Sequence, residues 1–188
     1  MMDFSPLATL REVLRYTPDE QRDTGFNIKE FAVVSREDSV VVRCIARHKG
    51  RVLLCQRADE PRRGFWNMPG GFLESGETLR TAVIRETLEE SGVSVHAPKL
   101  AYIHKLPQLN QIVMTFLAEV QNPAIAPGKE SLDARLFGID SIPWRQLAFP
   151  TDCDALRRTI QHSTHQQRRL QIVECFWDSD GRIFARPR

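Results

Sequence analysis

Three glutamates, Glu86, Glu89 and Glu90, crowd one stretch whose spacing predicts a helix over 78–91. At about 100° per residue, Glu90 falls about 40° to one side of Glu86 and Glu89 about 60° to the other. Leu79, Ala82 and Val83 occupy the same sector one or two turns earlier, so the carboxylates continue a face that apolar residues would bury. Like charges at these spacings repel. They also fall in the last two turns, where the helix dipole disfavours anions by ~0.3–1 kcal/mol each. Arg85 offsets part of that cost. A hard divalent cation would offset the rest, because Mg2+ takes oxygen ligands and keeps waters that phosphates can replace. A solvated acidic helix end with ordinary i, i+4 pairs accounts for the same spacing, and helix geometry alone does not separate the two.

Other elements must hold this helix in place. Gly92 fits the left-handed position that ends a helix, and Ile84 and Leu88, on the far side of the wheel, predict packing on both flanks. β-rich runs fall at 31–34, 40–46, 51–56, 100–105, 112–120 and 134–139, with a turn at 48–50. A loop at 67–72 carries Pro69, Gly70 and Gly71. Helices are predicted at 5–16 and at 153–161, the latter from Leu156 and Ile160 at i and i+4, and a terminal hairpin from 169–177 and 182–185. Strands on both sides of a central helix predict an α/β fold, an α/β/α sandwich with a mixed sheet, rather than a doubly wound parallel sheet. The chain divides into an N-terminal helix and strand segment (1–35), a central domain (36–150) and a C-terminal helix and hairpin (151–188) packed on that same domain.

The 188 residues suit one domain, and 41% hydrophobic with 27% charged residues is a globular composition. A net charge of +2 argues against a nucleic-acid partner. No apolar run approaches the roughly 20 residues of a membrane span. The N-terminus lacks the apolar core of a signal peptide, and its acids argue against a transit peptide, so a cytoplasmic location is expected. Cys44, Cys55, Cys153 and Cys175 form no CxxC pair, so no zinc ribbon is written here. Cys44 and Cys55 read as buried, reduced packing residues. His48 and His104 have no spacing that suggests a ligand pair and read as structural.

Taken in full, the spacing around the acidic helix resembles the Nudix box: a glycine, five residues, a glutamate, seven residues, Arg-Glu, an aliphatic, any residue, Glu-Glu, any residue, a glycine and an aliphatic. Gly71, Glu77, Arg85, Glu86, Glu89, Glu90, Gly92 and Val93 fall on its fixed positions, and Thr87 replaces the usual aliphatic. Segments 51–57, 64–71, 127–137 and 142–144 resemble a subgroup that includes FAD and ADP-ribose pyrophosphatases, and the resemblance covers roughly 38–150. Members of that subgroup often carry a zinc ribbon of four cysteines, whereas no cysteine precedes Cys44 here. The motif rich in proline, tryptophan and phenylalanine that marks the NADH-pyrophosphatase type is not found.

The resemblance implies Mg2+-dependent hydrolysis, with Mn2+ as a substitute, of a nucleoside diphosphate linked to another moiety, FAD- or ADP-ribose-like compounds being favoured. It implies metal ligation by Glu86, Glu89, Glu90 and the backbone carbonyl of Gly70. Glu77 and Arg85 would orient Glu86 through a salt bridge, and Gly71 would let the backbone approach the diphosphate. The general base is Glu86 or a loop acid, Glu130 or Asp133. Arg57 is a candidate for phosphate and otherwise a surface charge; Trp66 is a candidate for stacking on a base and otherwise a core residue. The rival class is a non-catalytic domain that binds a nucleotide as sensor or scaffold. Such domains often lose box glutamates, and this chain keeps them all. Hydrolysis of nucleoside triphosphates or of an RNA cap is a further alternative. A homodimer through the N-terminal segment or the terminal hairpin is also expected.

Overall fold

Continuous apolar runs, buried on both faces in the central strands, build a sheet whose two faces are each covered by a helix. The computed structural model describes residues 39–162, 170–177 and 183–187. Its strands are β1 (Ser39–His48), β2 (Arg51–Arg57), β3 (Trp66–Asn67), β4 (Lys99–Leu106), β5 (Gln111–Glu119), β6 (Ser131–Gly138), β7 (Gln171–Trp177) and β8 (Ile183–Pro187). The helices are α1 (Leu79–Ser91) and α2 (Pro150–His162). The strand order is β3-β2-β1-β5-β4-β7-β8, with β6 also paired to β2. β1 runs parallel to β5 from Ser39↔Gln111 to Arg47↔Glu119, and β4 parallel to β7; the other pairs are antiparallel. The sheet is therefore mixed, as expected.

One face carries Val42, Cys44 and Leu53 against Ala82 and Val83 of α1. The other carries Ile45, Leu54 and Trp66 against Ala155, Leu156 and Ile160 of α2. Burying a side chain of the size of Leu156 contributes roughly 1.5–3 kcal/mol, so α2 is held chiefly by this apolar stripe. Cys44, Cys55 and Cys153 are free and buried, and burial pushes the Cys44 thiol up to about 12.

A split in the sheet creates the site. β1 and β2 pair only beside their turn, at Arg47↔Val52 and His48↔Arg51, and then diverge. β3 takes the edge of β2 through Cys55↔Asn67 and Gln56↔Trp66. The following loop takes the edge of β1: Cys44 N–H donates to Pro69 O, Val42 N–H to Gly71 O, and Leu73 N–H to Val40 O, each at 2.9 Å. The loop with Pro69, Gly70 and Gly71 is thus wedged into the sheet and held by ladder hydrogen bonds.

Two features differ from expectation. Leu88 is 47% exposed, so of the two residues expected to pack the far flank of α1 only Ile84 does so, partly buried against the α1-side core. β3 was not predicted, since two residues inside a proline- and glycine-rich stretch carry no periodicity. The stretches 5–16 and 31–34 and the turn of the terminal hairpin lie outside the described residues.

Candidate active site

The direction in which α1 presents its glutamates is fixed at both ends. Thr78 Oγ1 caps the start by accepting from Thr81 N–H at 3.1 Å, and Gly92, left-handed at φ 71°, closes the end through its N–H to Leu88 O at 2.8 Å. Along the inward face the residues change from Ala82 and Val83 to Glu86, Thr87, Glu90 and Ser91, all buried. Thr87 and Ser91 satisfy their hydroxyls within the helix by donating to Val83 O and Thr87 O at 2.6 and 2.5 Å. Thr87 therefore serves as a packing residue at the position where an aliphatic is usual.

Arg85 ties the acids together. Its Nε and Nη2 donate to the two carboxylate oxygens of Glu77 at 3.0 and 2.9 Å, and its Nη1 donates to Glu86 at 2.8 Å and Glu89 at 3.1 Å. The paired hydrogen bonds to Glu77 hold that carboxyl below its ordinary range and Arg85 above its own. Glu86 is raised, because burial outweighs the help from Arg85. Burial pushes Glu90 up to about 7.

The loop supplies the facing wall. Gly70 (φ 150°) is backed so closely by the Val42 carbonyl that a Cβ has no room. A Cβ on Gly71 would meet the Glu86 carboxylate at 2.6 Å. The Gly70 amide donates to Glu90 Oε2 at 3.3 Å. From β1, the buried Arg43 donates through Nη1 to Met68 O at 3.1 Å and to Gly70 O at 2.6 Å. Asp152, wholly buried in the first turn of α2, accepts from Met68 N–H at 2.9 Å and lies 3.9 Å from Arg43 Nε. Phe149 completes the corner, with the guanidinium of Arg43 4.4 Å and that of Arg57 5.1 Å from its ring centre.

These walls enclose a cavity of about 480 Å³, within the usual range for small-molecule sites. Gly70, Gly71, Arg57, Arg85, Glu86, Glu89, Glu90 and Glu130 all line it. Glu77 acts from behind, through Arg85. Trp66 lies elsewhere: it is 7% exposed, packed edge-on to Phe137 at 4.8 Å in the α2-side core. The aromatic rings on the cavity wall are Phe72, half exposed, and Phe149. Sequence reasoning missed Arg43, Asp152 and both rings. Arg43 shares the inward register of Val41 and Ile45, and an arginine at an inward strand position was the available signal. His104 is wholly buried, its Nε2 2.8 Å from Asp154 Oδ2, an oxygen that also accepts from Arg158 at 2.6 Å.

The carboxylates fit a hard divalent cation. Glu86 and Glu90 bear a burial cost that a cation beside them would relieve, and oxygen is the donor Mg2+ prefers. As they stand, no three such side chains among the described residues close around one point: Glu89 turns to Arg85 and Glu90 to the Gly70 amide. The Gly70 carbonyl is already engaged by Arg43. Among the described residues, no helix is long and apolar enough to cross a membrane.

Comparison with known proteins agrees with this geometry. The family model described as NUDIX domain matches residues 35–159. A protein named NAD-capped RNA hydrolase NudC from Chromobacterium violaceum is 33% identical over 124 residues, covering 65% of this chain and 45% of that protein. An ADP-ribose pyrophosphatase from Methanocaldococcus jannaschii is 30% identical over 115 residues, covering 59% of this chain and 67% of that protein. The chain thus spans about half the length of the NudC relatives it matches. Among solved structures, a NUDIX hydrolase from Nitrosomonas europaea superimposes with a TM-score of 0.70 at 39% identity, over 74% of this chain and 81% of that one.

Proposed function

This chain belongs to the Nudix family, and on that premise we propose that it hydrolyses a diphosphate linkage in a nucleoside diphosphate joined to another moiety, with FAD- or ADP-ribose-like compounds as the favoured class. One observation carries the reading: the carboxylates of Glu86, Glu89 and Glu90 and the cationic groups of Arg43 and Arg57 line the same cavity. An acidic wall alone repels a diphosphate, and a basic wall alone gathers no metal. Glu86, Glu89 and Glu90 would hold Mg2+, or Mn2+ in its place. When bound, such an ion neutralises phosphate oxygens and lowers the pKa of a ligated water.

The chain's own groups do the rest. Arg85, itself clamped by Glu77, holds Glu86 in one orientation. Gly71 leaves the Glu86 carboxylate open to the cavity, where a side chain would press on it. Arg57 binds a phosphate oxygen. Glu130, on the rim, or Glu86 accepts the proton of the attacking water. Water adds to phosphorus, the bridging P–O bond breaks, and two phosphorylated products leave. The name of the Methanocaldococcus jannaschii relative supports ADP-ribose. The names of the NudC relatives favour a second reading, an NAD-type end on RNA, which the near-neutral charge disfavours. A cytoplasmic homodimer completes the proposal, and a gel-filtration mass near 21.6 kDa would dismiss the dimer.

The test is product release from FAD, ADP-ribose, NADH, NAD-capped RNA and nucleoside triphosphates, with and without Mg2+, for wild type and Glu86→Gln. Turnover that needs the metal and is lost in Glu86→Gln is the expected result. Tight nucleotide binding with no turnover of any compound would replace the enzyme with a sensor.

A further inference from the structure

Arg43 is a cation built into the middle of the sheet and restrained on every side. It is 6% exposed. Its Nη1 donates to two loop carbonyls, its Nε faces Asp152, and its guanidinium lies over Phe149. Asp152 reaches the same loop from the other direction, through Met68 N–H. Arginine and aspartate thus grip the Met68 to Gly70 backbone as a pair, and the pair links β1, the loop and α2.

The grip has a consequence for metal binding. Gly70 O, 2.6 Å from Arg43 Nη1, is the oxygen that the Nudix resemblance nominates as a metal ligand. An Mg2+ ion at the ordinary ligand distance of about 2.1 Å from that oxygen would stand at most about 4.7 Å from the guanidinium nitrogen. Two positive centres so close, in a buried corner with little water to screen them, repel strongly. Arg43 cannot retreat without abandoning Met68 O, Asp152 and Phe149 together. A positive charge is therefore already seated on the Gly70 carbonyl, and it offsets only part of the burial cost of Glu90.

We propose that the guanidinium of Arg43 occupies the role of a metal ion at the Gly70 carbonyl, so that divalent ions are held by the glutamates of α1 without Gly70. This rests on the metal-dependent reading above. The metal-facing set becomes Glu86, Glu89 and the outer oxygen of Glu90. The inner corner carries a fixed charge that neither dissociates nor exchanges.

The deciding experiment locates Mn2+ by anomalous scattering in crystals of the wild-type chain and counts bound Mn2+ in solution by electron paramagnetic resonance. The expected result is Mn2+ against Glu86, Glu89 and Glu90, and no peak within ligand distance of Gly70 O. Arg43→Gln should then bind one additional Mn2+ per chain, now on Gly70 O. A wild-type peak ligated by Gly70 O, with Arg43 displaced, overturns the inference and leaves the proposed function standing. A folded Arg43→Gln variant with the wild-type Mn2+ count also overturns it. Wild type that binds no Mn2+ at all removes both this inference and the metal-dependent reading. Should Arg43→Gln fail to fold, the wild-type peak positions still decide.

Discussion

Glu90→Gln should make the metal-free protein more stable while removing its response to metal. Burial raises the Glu90 carboxyl from an ordinary 4.5 to about 7. Between those values the folded chain keeps a proton that the unfolded chain releases, so stability falls as pH rises through this window. Above about pH 7 the ionised, buried carboxylate is a standing cost. At about 1.4 kcal/mol per tenfold change in proton affinity, that cost is about 3 kcal/mol. Glutamine removes the charge and keeps an oxygen to accept the Gly70 N–H. In EDTA at pH 8, thermal or urea unfolding should therefore show Glu90→Gln about 3 kcal/mol more stable than wild type, roughly 6–12 °C in melting temperature. The gap should close as pH falls to 4.5, where Glu90 is protonated when folded. Glu86 and Asp152 are raised for the same reason and steepen the wild-type slope in the same direction. Added Mg2+ should raise the melting temperature of wild type and leave that of the variant nearly unchanged. A variant no more stable than wild type at pH 8, or one whose advantage is equal at pH 4.5 and 8, would refute the view of Glu90 as a buried charge awaiting a cation.

The two loop glycines should fail differently. Gly71→Ala presses on the end of the Glu86 side chain, so unfolding should be nearly unchanged while kcat falls at least about 100-fold; Gly70→Ala drives a Cβ into the Val42 carbonyl, and its melting temperature should drop sharply. If Glu130 is the general base, Glu130→Gln should lower kcat about 100-fold or more at constant KM, and an unchanged kcat would leave Glu86 as the base. Asp154→Ala removes the carboxylate that His104 and Arg158 share on α2. It should cost about 2–4 kcal/mol in denaturant unfolding without changing KM, and a loss below 0.5 kcal/mol (about the size of a surface substitution) would show that the pair contributes little.

What could be read from the sequence divides along a physical line. The acidic helix was legible because its information is local. Gly92 terminates, and the 3.6-residue period places Glu86 and Glu90 on the face begun by Ala82 and Val83. The clamp of Glu77 on Arg85 spans eight residues and entered through the spacing of the box. Strand positions followed from β-rich apolar runs bounded by turns, but neither the parallel pairing of β1 with β5 nor the divergence of β1 from β2 leaves a local trace. That divergence admits the loop and gives Gly70 and Gly71 their tight quarters.

Arg43 shows how much depended on the long-range part. In the run Val40 to Ala46 it reads as one polar interruption of a strand, whereas in the fold it meets Met68 and Gly70, 25 and 27 residues away, and Asp152, more than a hundred residues away. A buried charge seldom stands without a partner. An inward-facing arginine in a strand therefore implied an acid on some other element, although the sequence did not say which. Trp66 illustrates the converse. Its indole suits base stacking as well as core packing, and only the position of β3 beneath α2 decides for the core, leaving Phe72 and Phe149 as the aromatic rings on the cavity wall among the described residues. The carboxylates of α1 were thus legible because a helix repeats its faces every few residues. The groups that set the charge and shape around them were not, because they converge only when the sheet opens.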